Sequence, residues 1–337
     1  MKINAFAAYA AAEALATFTF EAGPLAAGEV EVEVEYCGVC HSDIHLIDND
    51  WGISSYPLVA GHEIVGTVVA LGDRVVTPEL GARVGIGWQR GCCGSCEWCL
   101  TGDQNLCPAS RATCVGHHGG YATRVRCDAA FAVPIPGALA PAMAAPLLCG
   151  GVTVYAPLVQ FGVRPAHSVG VIGIGGLGHL AIRFARAFGC RVTAFSSSPE
   201  KAAEAARFGA HDFVTTQGDG GLKKAAGTVD FLISTASADL SWPDYVDLLR
   251  PNGTLCIVGA SPGPVQVSAT ALILGRRSIR GSAIGSPPLI REMLSFAARN
   301  EVVPQIEILP LRQVNDALDK VRANRARYRM VLAVKER

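Results

Sequence analysis

Between Glu29 and Tyr36 the chain alternates without a fault, with Val30, Val32 and Val34 on one side and Glu29, Glu31, Glu33 and Glu35 on the other. Period two predicts a β-strand with one buried and one wet face, and residues 17–20 repeat it more briefly. Gly38 then interrupts the pattern, and Ser42 and Asp43 offer the short side-chain oxygens that cap helices. A polar run containing Trp51 and Pro57 leads to Gly61-His62-Glu63-Ile64-Val65-Gly66, which opens another β-rich stretch through Val69. From Gly81 to Gly120 no long helical period develops. Near Pro146 the text changes to short apolar strands alternating with helices, the mark of βαβ units around a parallel sheet. Strands are expected at 168–172, 191–196, 213–215, 231–235, 255–258 and 279–282, with a helix after the first that ends at Gly189. An amphipathic helix over 288–299, a helix around 314–323 and a last strand at 328–334 follow.

A length of 337 residues suits about two domains. Lys and Arg number 29 and Asp and Glu 29, so bulk charge points to neither nucleic acid nor a membrane surface as partner. Half of the residues are hydrophobic, yet no uncharged run approaches the roughly 18 that a membrane span needs. The alanine-rich stretch 5–20 is interrupted by Glu13 and preceded only by Lys2, which does not describe a signal peptide. A soluble cytoplasmic protein is expected, where twelve cysteines serve metal binding and burial rather than disulfides.

Cys93, Cys96, Cys99 and Cys107 follow the spacing C-x₂-C-x₂-C-x₇-C. Four thiolates so close cannot all pair as disulfides without strain, but they wrap readily around one tetrahedral zinc. This is read as a closed structural site, with Cys92 one residue out of frame as a bystander. Gly173-Ile174-Gly175-Gly176-Leu177-Gly178 lies between a buried strand and a helix, the context in which G-x-G-x-x-G binds a dinucleotide. Gly173 permits the tight turn, Gly175 lets a pyrophosphate approach, and Gly178 allows close helix–strand contact. At the end of the second strand, where an NAD site places an acid, stand Ser196, Ser197 and Ser198, then Lys201. Hydroxyls and a cation accept a 2′-phosphate that a carboxylate would repel, so NADP(H) is favoured; Ser198 is expected to cap the next helix, which leaves Ser196, Ser197 and Lys201 for the phosphate.

Cys40, His62, Glu63 and Cys149 are suitable zinc ligands, but their spacing does not single them out from buried core residues. Read in order, Cys40-His41-Ser42-Asp43, Gly61-His62-Glu63, the cysteine cluster, the glycine turn and Arg327-Tyr328-Arg329 resemble the zinc-dependent medium-chain alcohol dehydrogenases. The resemblance covers essentially the whole chain and is greatest to the cinnamyl-alcohol-dehydrogenase-like branch. It implies an α/β architecture: a GroES-like β-barrel catalytic domain from 1–149 and 287–337, and a Rossmann doubly wound parallel-sheet domain from 150–286 that binds NADP(H). It implies two zinc ions per chain, the catalytic one on Cys40, His62 and Cys149 with Glu63 as an exchangeable fourth ligand and Asp43 behind the histidine. It further implies a proton relay through Ser42 and His45, and a substrate channel near Trp51 and Trp88 that suits a flat apolar aldehyde.

The activity so implied is an NADP(H)-dependent alcohol dehydrogenase working as an aldehyde reductase on a small-molecule substrate, assembled as a dimer or tetramer. A polyol or secondary-alcohol dehydrogenase is the alternative, against which Cys149 stands in place of a carboxylate. From a different class comes a nucleotide- and zinc-binding protein without turnover, which the intact ligand and relay residues oppose. The sequence gives no assignment for His117-His118, and the short segment 49–54 leaves substrate size open.

Overall fold

In the computed structural model, which describes residues 1–218 and 220–335, the alternating run is the strand Glu29–Val39. It continues through Gly38 instead of stopping there. A Cβ at Gly38 would lie 2.0 Å from Glu63 Oε2, so only glycine lets the strand pass that side chain. The glutamate face is not uniformly wet either: Glu31 is 3% exposed. Arg124 Nη1 and Arg126 Nε donate to it at 2.7 and 2.8 Å from the antiparallel neighbour Arg124–Asp128. Alternation along one strand cannot foresee such cross-strand cations.

The chain divides into two compact units, one running to Val152 and resuming at Ile284, the other Thr153–Ala283. The first unit holds a seven-stranded sheet whose path is Ile306–Pro310, Arg329–Ala333, Glu29–Val39, Ile64–Leu71, Arg83–Ile86 and Val133–Pro134, with Arg124–Asp128 branching from Glu29–Val39. Val30, Val32, Val34, Ile64, Val68, Val84 and Ile86 fill its core. Lys2–Ala7 and Ala16–Glu21 pair as a separate antiparallel ribbon. Helix Pro287–Arg299 buries Ile290, Met293, Leu294 and Ala297, the i, i+3, i+4, i+7 stripe of an amphipathic helix. Strand Ile306–Pro310, unforeseen because it is short and half-buried, pairs in parallel with Arg329–Ala333.

The second unit is a six-stranded all-parallel sheet in the order Asp212–Thr215, Arg191–Ser196, Ser168–Ile172, Val229–Ser234, Leu249–Ile257, Ser278–Gly281. That order is 3-2-1-4-5-6, the doubly wound arrangement. The glycine turn follows its first strand, at the reversal of strand order where such sheets take ligands. Among the described residues no single helix is long and apolar enough to cross a membrane.

Candidate active site

Cys40 caps helix His41–Asp48, and its N–H donates to Asp43 Oδ2 at 3.0 Å. The carboxylate three residues in thereby satisfies the backbone at the helix start. Ser42 is not a cap; it lies inside the first turn, its hydroxyl without a partner among the described residues.

Asp43 has no solvent exposure and accepts three more hydrogen bonds. Gly61 N–H and His62 Nδ1 reach Oδ1 at 2.9 and 2.8 Å, and the Tyr121 hydroxyl reaches Oδ2 at 3.2 Å. A carboxylate oxygen accepts, so His62 donates through Nδ1 and Nε2 is the ring nitrogen left to meet a metal; burial opposes the charge of this imidazole, but Asp43 and Cys149 outweigh it and raise its pKa well above the ordinary value. That nitrogen is buried and has no hydrogen-bond partner among the described residues. Around it the ligand atoms of Cys40, His62, Glu63 and Cys149 all lie within 4.8 Å of one another.

Glu63 is enclosed as well. One oxygen pairs with Arg329, and Oε2 has no hydrogen-bond partner among the described residues. Burial raises its pKa to about 7 against the pull of Arg329. Burial opposes the charge of Arg329, but Glu63 and Cys40 outweigh it and keep the guanidinium protonated. The Cys149 thiol, hydrogen-bonded to Cys40, moves Cys40 toward its thiolate despite burial, while Cys149 itself is raised. Two sulfurs, an imidazole nitrogen and a buried carboxylate brought together suit zinc. A buried nitrogen and oxygen left unpaired are costly unless something accepts them. Asp43, His62 and Cys114 also fall within 4.8 Å, but that set is support for the first. Its Asp43–His62 bond is already made, and Cys114 Sγ donates to Gly61 O at 3.2 Å.

His45, one turn along the same helix, meets Asp50: Nδ1 and Oδ2 are 2.6 Å apart. Asn49, in the left-handed conformation at φ 58°, turns the chain back to bring Asp50 there. Aromatic rings link the two ends of the site. Trp88 stands edge-on to His62 with centroids 5.0 Å apart, Trp51 lies 5.9 Å from Trp88, and His45 lies 5.2 Å from Trp51.

Cys93, Cys96, Cys99 and Cys107 form a second cluster within 4.8 Å. Backbone N–H groups of Ser95 and Cys96 lower the Cys93 pKa to about 6. Cys92 falls outside the four and is packed against the hydrophobic core.

In the second unit Gly173 has φ +84°, and a Cβ at Gly178 would lie 1.9 Å from Gly173 O. At Gly175 a Cβ would meet nothing within 4 Å, and Gly176 and Leu177 complete the turn before helix Gly178–Ala187. The turn therefore fits a dinucleotide: open at the second glycine, tight at the third. Lys201 Nζ donates to Ile174 O at 2.9 Å, which sets its ammonium against that turn. Ser196 Oγ accepts from Ser198 N–H at 3.1 Å, and Ser197 is exposed beside it. Ser198 stands at the N-cap of Pro199–Lys201 but its side chain makes no capping bond, contrary to expectation, and its own N–H is the group that is held, by Ser196.

Tyr121, Arg329 and Asp50 were not foreseen as members of this site. Asp50 had a local signal in the helix stop at Asn49-Asp50. Arg329 had one only as part of Arg327-Tyr328-Arg329, with no role attached, and Tyr121 had none; they lie 266 and 78 residues from the groups they bind.

Residues 26–137 match the alcohol dehydrogenase GroES-like domain family, and residues 176–299 match the zinc-binding dehydrogenase family. The aldehyde reductase AdhA of a Synechocystis species is 45% identical over 331 residues, 98% of each chain. A probable cinnamyl alcohol dehydrogenase of Arabidopsis thaliana is 42% identical over 329 residues, 95% of this chain and 91% of that protein. Among solved structures, a cinnamyl alcohol dehydrogenase from Sorghum bicolor superimposes with a TM-score of 0.95 at 37% identity, covering 99% of this chain and 98% of that one. The Helicobacter pylori enzyme complexed with NADP(H) does so at 0.91 and 29% identity, with the same coverage. The chain belongs to the zinc-dependent medium-chain alcohol dehydrogenases. Within them it falls in the cinnamyl-alcohol-dehydrogenase-like branch.

Proposed function

We propose that this protein is an NADP(H)-dependent alcohol dehydrogenase that works as an aldehyde reductase, with aromatic aldehydes of cinnamyl type among its substrates. The observation that carries the reading is the convergence of Cys40, His62, Glu63 and Cys149 around an imidazole Nε2 with no other partner. When bound, zinc supplies Lewis-acid polarisation of the aldehyde oxygen and NADPH supplies the hydride.

The remaining chemistry belongs to the chain. Cys40, His62 and Cys149 hold the metal, and Asp43 fixes the tautomer that points Nε2 at it. Arg329 holds Glu63 by one oxygen and leaves the other for exchange. Ser42, its hydroxyl uncommitted, delivers a proton to the developing alcohol oxygen. Ser42 is then recharged along the relay, and His45, oriented by Asp50, takes the replacement proton from solvent. Trp51 and Trp88 present apolar faces near the relay, which favours a flat substrate over a small aliphatic one. Gly173, Gly175, Gly176, Leu177 and Gly178 cradle the pyrophosphate, while Ser196, Ser197 and Lys201 receive the 2′-phosphate. Cys93, Cys96, Cys99 and Cys107 hold a second zinc that stabilises their lobe.

Twelve cysteines with no disulfide among the described residues fit a reducing cytoplasm. Ile273 and Leu274 are 71% and 83% exposed near the edge strand Ser278–Gly281, as an assembly of like subunits would use them. Mixing zinc-replete protein with NADPH and cinnamaldehyde tests the activity. Loss of NADPH absorbance, faster than with acetaldehyde, is expected; no loss with any aldehyde defeats the reading.

A further inference from the structure

Outside both cysteine clusters, the first unit contains a cleft of about 500 Å³ lined by Arg90, Arg111, His117, His118, Arg124 and Arg126. We propose that this cleft binds a small oxyanion, a phosphate or carboxylate group, with Arg90 as its principal ligand.

Three of its four arginines are already committed. Arg124 and Arg126 hold Glu31, and Arg126 Nη1 also donates to Gly23 O at 2.7 Å. Arg111 pairs with Asp128. The space for that pair exists because residue 91 is glycine: a Cβ there would lie 2.3 Å from Arg111 Nη2 and 2.5 Å from Asp128 Oδ2. Arg90 differs. It makes no hydrogen bond or ion pair among the described residues, and its half-buried guanidinium has a fully covered Nε with no acceptor.

A ligand in the cleft cannot reach the covered Nε, but the two Nη groups of Arg90 are open to it and have no acceptor among the described residues, so they are the donors that an anion would complete. Burial and the neighbouring Arg111 work against the charge of Arg90, and the carboxylates of Glu29 and Asp128 offset them only in part. The guanidinium fork matches two oxygens of a phosphate or carboxylate at once, which selects an oxyanion over a halide. Glu21 and Glu29 also line the cleft, and Glu29 accepts the Ala26 N–H at 3.3 Å. Their charge sets a size limit, admitting a compact anion at Arg90 and repelling an extended one. The imidazoles add shape and little charge. His117 Nδ1 donates to Thr113 O at 3.1 Å, His118 lies against Phe20 with centroids 4.1 Å apart, and burial lowers both pKa values. The histidine pair that the sequence left unassigned is thus a wall of this cleft.

The test uses holoenzyme saturated with NADP⁺, so that the coenzyme's own phosphate site is filled before any ion is added. The melting temperature is followed during titration with inorganic phosphate and, separately, succinate, at ionic strength held constant with chloride. A saturable rise is expected, since a ligand of the folded state stabilises it by mass action. Phosphate alone acting identifies a phosphate group, and succinate alone a carboxylate. Arg90→Met should abolish the rise, and Glu29→Gln should tighten binding about threefold or more by removing a like charge. Should Arg90→Met fail to fold, Arg90→Lys keeps the charge and loses the fork, and at least about fivefold weaker binding is expected. No saturable response to either ion, or unchanged affinity in these variants, overturns the assignment.

Discussion

Asp43 touches no solvent and is met by four donors, from Cys40, Gly61, His62 and Tyr121. Only one of those bonds is to a side chain that bears on the metal, yet the others decide where the carboxylate can stand. Tyr121→Phe removes the phenol and keeps the ring against Gly61, so the loss falls on Asp43 Oδ2 alone. Outer-shell partners of this kind are worth about 10- to 100-fold in metal affinity. Zinc should leave Tyr121→Phe about tenfold faster, measured with a chromophoric chelator; an unchanged release rate would show that Asp43 is held without the phenol. At the coenzyme end, Ser196 stands where a carboxylate would decide for NAD. Ser196→Asp places a negative charge against the 2′-phosphate, and the ratio of kcat/KM for NADPH over NADH should fall about tenfold or more, the factor that about 1.4 kcal/mol sets. An unchanged ratio would remove Ser196 from coenzyme selection.

Elements explain which of these residues could be read from the sequence. The period-two run and the βαβ alternation are local, and the parallel strands fall close to where the alternation puts them, except that the strand expected from 255 already begins at Leu249. The cysteine lobe is equally local, its ligands lying within 15 consecutive positions. Cys93→Ser should therefore act first on stability: zinc content falls from two to one per chain and the melting temperature drops, whereas a variant that still binds two zinc ions with unaltered stability would refute the structural role. No spacing rule joins Cys40 to His62, Glu63 and Cys149, and only the resemblance of the whole chain did so. The sheet gives the physical reason. Cys37 is in register with Ile64, so Cys40 lies just past the end of one strand and His62-Glu63 just before the start of its antiparallel neighbour. Arg329 arrives from the far end of the chain on the strand whose Met330 pairs with Val39. Contacts made by register across a sheet leave no periodic trace along the chain, which is why Tyr121 stayed hidden and Arg329 stood out only within a family motif, its pairing with Glu63 unread.

At the scale of the molecule, acid sensitivity and metal dependence follow from what each unit encloses. Burial lowers the pKa of His117 from 6.5 to about 4. The unfolded chain then binds a proton that the folded one refuses, so this stability is complete above about pH 6.5 and is lost progressively as pH falls toward 4. His117→Asn should flatten that part of the profile, read as the difference in urea midpoint between the two proteins at pH 7.5 and pH 5; equal differences at both would exclude His117. The metal ligands all lie in the unit that ends at Val152 and resumes at Ile284, while every residue assigned to the dinucleotide phosphates lies in Thr153–Ala283. The second unit has its own core, built on Phe195, Leu232, Trp242, Val246 and Leu255, and its glycine turn is shaped by that core with no metal ligand taking part. Stripping zinc with a chelator at neutral pH should consequently abolish aldehyde reduction while the affinity for NADPH, followed by the coenzyme's own fluorescence, stays within about threefold, well under the tenfold that 1.4 kcal/mol would produce. A collapse of NADPH binding on zinc removal would mean that the coenzyme site depends on the metal-bearing unit for its shape. Retained reduction in fully stripped protein would instead remove the metal from the chemistry.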